Sequence, residues 1–340
     1  MFMKATVAAI EYHFPEHCLT NEQLAREFPE WSVEKIEEKT GIAERWIAAE
    51  GECSSDLGSA AARKLFDSGV CSPADIDYIL FCTQSPDHFL PTSACVMQQR
   101  LGIPPSAGAL DFNLGCSGYV YGLGLAKALV ETGQATNVLL VTAETYSKFI
   151  HPKDKSVRTL FGDAGAATLV RAVPGDREFI GPFVYGTDGG GAKNLIVPTG
   201  GMRQRVAPPE EEATVDADGN LRSEANLYMN GPEIFAFTLR AVPKVVQDLL
   251  VRTGKNLSDI DLYVFHQANQ YMLEHLRKKL KIPTEKFFVG MRHCGNTVSC
   301  TIPIALKQAA EEGRIQPGHL VMLVGFGVGY SWAATLIRWV

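Results

Sequence analysis

D-I-D-Y-I-L-F-C-T-Q, residues 75–84, is an acidic turn followed by an unbroken apolar run, the pattern of a strand buried on both faces. The pattern returns at 259–268 as D-I-D-L-Y-V-F-H-Q-A, an offset of 259 − 75 = 184 residues. Three further pairs follow in the same order: R-L-G-I-P at 100–104 with K-L-K-I-P at 279–283, L-G-C-S-G at 114–118 with H-C-G-N-T at 293–297, and N-V-L-L-V-T from 137 with H-L-V-M-L-V from 319. A series of this length in constant order marks a duplicated α/β unit. Duplication implies a pseudo-two-fold axis that brings equivalent loops together. Cys116 should therefore face Asn296, and His266 should stand where Cys82 stands in the other half.

Around these pairs the chain alternates strands and helices, which gives the α/β class. Lys4–Ile10 and Ala167–Arg171 read as strands, and Thr20-Asn21 caps a helix over Glu22–Phe28. The halves divide as 1–173, carrying Cys116, and 174–340, carrying His266 and Asn296. Between Thr199 and Arg222, Pro208-Pro209, Glu210-Glu211-Glu212 and the turn Asp216–Asn220 read as an exposed loop with a hairpin and a solvated charge run.

At 340 residues and 46% hydrophobic, the chain can bury a sizeable core, and a net charge of −6 excludes a general nucleic-acid binder. The first ten residues lack the parts of a secretory signal, and no apolar run approaches the ~18 residues that span a bilayer. The eight cysteines form no C-x-x-C pair and no zinc-like spacing with histidine. These features predict a cytoplasmic protein with free thiols and no metal or membrane partner.

D-F-N-L-G-C-S-G, residues 111–118, is a strand that runs through a cysteine between glycines into a helix from Tyr119. A thiol there lies near first-turn N–H groups and the positive end of a helix dipole, which favour the thiolate. V-F-H-Q-A-N-Q, 264–270, places His266 at the C-terminal end of an apolar strand, where parallel sheets carry catalysts. R-H-C-G-N-T, 292–297, sets Asn296 on a turn before an apolar helix. V-G-F-G-V-G-Y-S-W, 324–332, has no phosphate-loop lysine and reads as backbone lining a site. Taken singly, these residues have plain readings as a buried thiol, a core imidazole and a helix cap. Together a thiol, an imidazole and a carboxamide suit acyl-thioester chemistry. The thiolate takes an acyl group, and two donors then stabilise the enolate left when a carboxylated thioester loses CO₂.

With these motifs, T-G-I-A-E-R at 40–45 and F-G-D-A-G-A-A at 161–167, the chain resembles β-ketoacyl-acyl carrier protein synthase III of the thiolase superfamily over nearly its full length. The resemblance implies a five-layered αβαβα fold, a homodimer, and catalytic Cys116, His266 and Asn296. It also implies an oxyanion hole from the N–H groups of Cys116 and Val328, and an acyl pocket at Leu90, Phe161 and Gly327. Acyl carrier protein is the implied partner and acyl-coenzyme A or acyl carrier protein the substrate, with no cofactor. The chain departs from the family where coenzyme A binds: Lys35 and Lys39 stand in place of a Trp and an Arg, Lys155 replaces an Arg before F-G-D, and Tyr271 replaces an Arg after H-Q-A-N. Arginine stacks and forks as lysine cannot, so these positions favour a carrier protein or a weakly held coenzyme A. Arg277, Lys278, Lys279 and Lys281 match the helix that receives the acidic carrier.

A cysteine protease shares the residue order but needs a C-G-S-C-W signature that is absent. A plant-type polyketide synthase shares the triad on a longer chain. An acyltransferase acting on an alcohol or amine without decarboxylation could use the same residues, and an inactive scaffold subunit would have lost the nucleophile.

Overall fold

In the computed structural model, residues 2–340 are described and two sheets are stacked about a helical middle layer. The first sheet runs Met3–His13, Ala164–Pro174, Asn137–Glu144, Tyr78–Cys82, Gly108–Phe112. Its last three strands are mutually parallel and the first two antiparallel. The second runs Leu262–Phe265, Leu320–Gly327, Ser331–Arg338, Ile180–Thr187 with the same alternation. The matched apolar runs thus take matched places: Tyr78–Cys82 pairs in parallel with Asn137–Glu144, as Leu262–Phe265 does with Leu320–Gly327. Phe287 makes a lone parallel bridge to Tyr263 where the first sheet has its fifth strand.

Helices Gly118–Glu131 and Thr301–Glu311 form the middle layer, and Tyr119, Val120, Leu123, Ile302 and Leu306 share one buried cluster with strand residues of both sheets. Helices Ser54–Asp67 and Ser93–Arg100 cover the first sheet, while Gly231–Thr253 and Gln270–Leu280 cover the second. This is the five-layered αβαβα arrangement. Fully apolar strands are possible because both faces of each sheet are covered.

Both strands expected as short pieces are longer, because Met3–His13 and Ala164–Pro174 pair along almost their whole length. Small residues at 164–167 belong to this strand: a Cβ on Gly165 would lie 2.3 Å from the Leu57 carbonyl carbon, so the helix packs backbone to backbone there. Thr214–Val215 and Leu221–Arg222 form the hairpin. Glu210 and Glu212 before it are exposed, while its turn is tied down by side chains. Asp216 accepts from Asn220 and Arg222, and Arg222 pairs with Asp154, whose side chain is buried. Among the described residues, no helix is long and apolar enough to cross a membrane.

Candidate active site

Cys116 and Asn296 each lie just ahead of a middle-layer helix, and His266 follows the end of strand Leu262–Phe265. All three are buried and line one cavity of about 90 Å³ together with Phe161 and Gly327. Leu195, Met229, Ile234, Met272 and Phe326 make most of its wall apolar. The loop geometry is set by backbone pairing: Asn296 N–H donates to Leu160 O (2.9 Å) and Gly162 N–H to Asn296 O (3.0 Å), tying the F-G-D turn to the H-C-G-N-T turn. Asn296 Oδ1 accepts from Val298 N–H (3.0 Å), which fixes the carboxamide.

The glycines of V-G-F-G-V-G are required by close approach. A Cβ on Gly327 would lie 2.6 Å from Cys116 Sγ, and one on Gly325 would lie 2.7 Å from Ser117 Cα. Strand Leu320–Gly327 can therefore pass directly against the cysteine turn only because these positions lack side chains. Ser117 Oγ and Ser331 Oγ, 2.6 Å apart, lock the two segments.

The electrostatics differ from the reading of the isolated motif. Burial pushes the Cys116 thiol up to about 12, although the Val328 and Cys116 N–H groups oppose this. The helix terminus supplies local stabilisation, yet loss of water outweighs it. Burial also holds His266 down to about 3, so its imidazole is neutral. Its Nδ1 lies 2.7 Å from Thr301 Oγ1, and the ring meets Phe326 edge to face.

Residues 110–189 match the family model for 3-oxoacyl-[acyl-carrier-protein (ACP)] synthase III, and residues 250–339 match the model for its C-terminal part. The chain is similar to the beta-ketoacyl-[acyl-carrier-protein] synthase III of Caldanaerobacter subterraneus subsp. tengcongensis, 37% identical over 96% of this chain and 95% of the relative. The chain belongs to the 3-oxoacyl-[acyl-carrier-protein] synthase III family. A crystal structure of a synthase III superposes with a TM-score of 0.97 at 55% identity, covering 99% of this chain and all of that one. Another, a 3-oxoacyl-(acyl-carrier protein) synthase from Burkholderia xenovorans LB400, gives 0.91 at 36% identity over 99% and 95% of the two chains.

The remaining residues singled out for this synthase III are dispersed. Leu90 is 81% exposed on a loop and does not line its own chain's cavity. Lys35 and Lys39 lie over the ring of Trp31 at 5.4 and 5.0 Å, so an indole does stand beside them. Lys155 is buried and paired with Glu30 at 2.6 Å, which removes it from the free surface. Arg277 folds back on Glu274 and on the Ile282 carbonyl, Lys279 bonds the Leu239 carbonyl, and Lys278 stays exposed. Among the described residues no cluster of three or more His, Cys, Asp or Glu side chains is placed to hold a metal ion.

Sequence reading missed Glu144, which is fully buried at the end of its strand with its pKa raised to about 8 by burial. It accepts from Gln84 N–H (3.0 Å), Ser85 Oγ (3.1 Å) and Ser299 Oγ (2.9 Å), joining the loop after Cys82 to the loop after Asn296. The one available signal was a carboxylate closing the apolar run V-L-L-V-T-A-E. It missed Arg45 as well, fully buried with no carboxylate, donating to Asn21 Oδ1 and Thr159 O (both 2.7 Å) behind the F-G-D turn.

Proposed function

We propose that this synthase III runs two half-reactions in the one cavity. Cys116 sulfur attacks an acyl thioester carbonyl, the carbon–sulfur bond to the carrier breaks, and the carrier leaves as a thiol with the cysteine proton. The N–H groups of Cys116 and Val328 receive the developing oxyanion. A malonyl thioester on acyl carrier protein then enters and loses CO₂. His266 and Asn296 donate to its enolate oxygen while the enolate carbon attacks the acyl-cysteine and the bond to sulfur breaks, giving a β-ketoacyl thioester and the Cys116 thiolate, which takes up a proton from solvent. No step of this scheme calls on a cofactor.

The observation that carries the reading is convergence: residues 150 or more positions apart, from two halves of the chain, meet at one apolar cavity with a backbone N–H on the thiol. Intact-protein mass spectrometry with acyl thioesters tests it. Cys116→Ala should take up no acyl group. His266→Ala and Asn296→Ala should still acylate but lose malonyl decarboxylation by ~10²–10³-fold. Equal loss in both half-reactions would refute the division of roles, and acylation of Cys116→Ala would refute the nucleophile.

The reading extends to assembly and partner. Leu90, exposed beside Phe89 and remote from its own cavity, fits a homodimer in which it closes the partner's acyl pocket. Leucine there, rather than an aromatic residue, favours a primer longer than acetyl. Exposed Lys278, with Lys35 and Lys39, offers the positive charge that an acidic carrier protein needs.

A further inference from the structure

The buried imidazole of His266 is neutral, so one of its two nitrogens carries a proton and the other does not. Which one decides whether the ring can give a hydrogen bond to substrate. Nδ1 faces Thr301 Oγ1 at 2.7 Å, and Nε2 makes no hydrogen bond among the described residues while the ring lines the cavity. The Thr301 hydroxyl has a single proton and two acceptors in reach, His266 Nδ1 at 2.7 Å and the Val298 carbonyl at 3.1 Å. Were the proton given to Val298, Nδ1 would have to be the protonated nitrogen, and a bare lone pair would face the substrate. Given to Nδ1 over the shorter contact, it leaves N–H on Nε2.

We infer that Thr301 is a positioning residue that donates its hydroxyl proton to His266 Nδ1 and so holds the ring as the Nε2–H tautomer, aimed into the cavity. The inference rests on the donor role proposed above for His266. A second observation supports a built arrangement. The turn that delivers Thr301 passes through Val298 at φ 54°, a left-handed conformation that a β-branched residue adopts only when its surroundings impose it. The surroundings do so: Asn296 Oδ1 accepts the Val298 N–H, and Ser299 Oγ donates to buried Glu144. The same five-residue step therefore fixes the carboxamide at its start and the imidazole at its end. Thr301 is itself buried, so no solvent competes for its hydroxyl.

Thr301→Val removes the hydroxyl and keeps the shape, while Thr301→Ser keeps the hydroxyl. In the two half-reactions followed separately, Thr301→Val should acylate Cys116 within ~3-fold of wild type but decarboxylate malonyl thioester ~10–100-fold more slowly, as for other residues that orient a functional histidine. Thr301→Ser should restore most of that loss. In a His266→Ala background Thr301→Val should cost nothing further, because residues that act as a unit are not additive. Nitrogen-15 spectra of histidine-labelled protein, with His266→Ala assigning the signal, should place the proton on Nε2. The inference is overturned if Thr301→Val decarboxylates normally, if Thr301→Ser is as impaired as Thr301→Val, if its loss multiplies with that of His266→Ala, or if the proton sits on Nδ1. Normal decarboxylation by His266→Ala alone would instead remove the donor role, and the spectrum would still report whether Thr301 sets the tautomer.

Discussion

Gly327→Ala tests how closely the second half of the chain supports the nucleophile in the first. The added methyl would lie 2.6 Å from Cys116 Sγ and 2.7 Å from Cys116 Cβ. Non-bonded heavy atoms rest ~3.5–4 Å apart, so one side must retreat by about 1 Å. Neither side gives easily. Gly327 pairs with Ser331 at the end of its strand, and Cys116 is followed by Ser117, whose hydroxyl is held by Ser331. Overpacking of this size costs about 1–3 kcal/mol of stability. A thiol displaced by ~1 Å from its oxyanion donors should acylate ~10²-fold more slowly. The rate of mass gain on Cys116 with an acyl thioester measures the second effect, and denaturant unfolding the first. Gly51→Ala, where an added Cβ meets nothing within 4 Å, should change neither. If folded Gly327→Ala acylates at the wild-type rate, the close approach does not position the thiol and the argument fails.

Three other outcomes follow from the same physics. With its pKa pushed up to about 12, Cys116 should react with iodoacetamide at a rate rising ~10-fold per pH unit up to at least pH 9; a plateau near pH 7 would show that the helix terminus wins over burial. For His266 the folded pKa is depressed to about 3 from 6.5, so its contribution to stability is present above pH 6.5 and is lost as pH falls toward 3. Between pH 7 and 5, wild type should lose ~2 kcal/mol more than His266→Gln in urea titrations, and parallel curves would contradict the burial argument. Leu90→Phe should shift acyl-donor competition for Cys116 toward shorter chains, each excluded methylene costing ~0.8 kcal/mol of binding; an unchanged chain-length profile would separate Leu90 from the pocket.

The duplication and the three converging residues were legible because each leaves a local mark, whereas the five layers were implied by the family resemblance. Apolar runs such as Tyr78–Cys82 carry the strand pattern, and Cys116 and Asn296 stand at strand-to-helix and turn-to-helix junctions that glycine spells out. Thr301 and Ser299 leave none. Their roles come from contacts across 35 and 155 residues, and a threonine or serine at the start of a helix reads locally as a cap. Lys155 shows the converse. Its sequence position suggests a surface cation for a ligand, but exposed Glu30, 125 residues away, pairs with it and the lysine itself is buried.

The same distinction governs the chemistry. A helix terminus can be read from D-F-N-L-G-C-S-G, whereas the absence of water around it cannot, and it is the absence of water that sets both charges here. Burial keeps the thiol protonated and the imidazole neutral, so a resting thiolate–imidazolium pair is disfavoured on both counts. In the proposed scheme acylation therefore draws on the N–H groups of Val328 and Cys116, which oppose the burial penalty on sulfur and would receive the oxyanion. Decarboxylation gains from the same dryness. In the proposed scheme a neutral imidazole and a carboxamide in an apolar cavity would stabilise a dispersed enolate without competing water and leave the departing carboxylate unpaired. On this proposal one cavity makes the first half-reaction depend on backbone donors and the second on side chains. For this reason the backbone-disrupting Gly327→Ala and the side-chain variants of His266 and Asn296 should separate the two half-reactions in opposite directions.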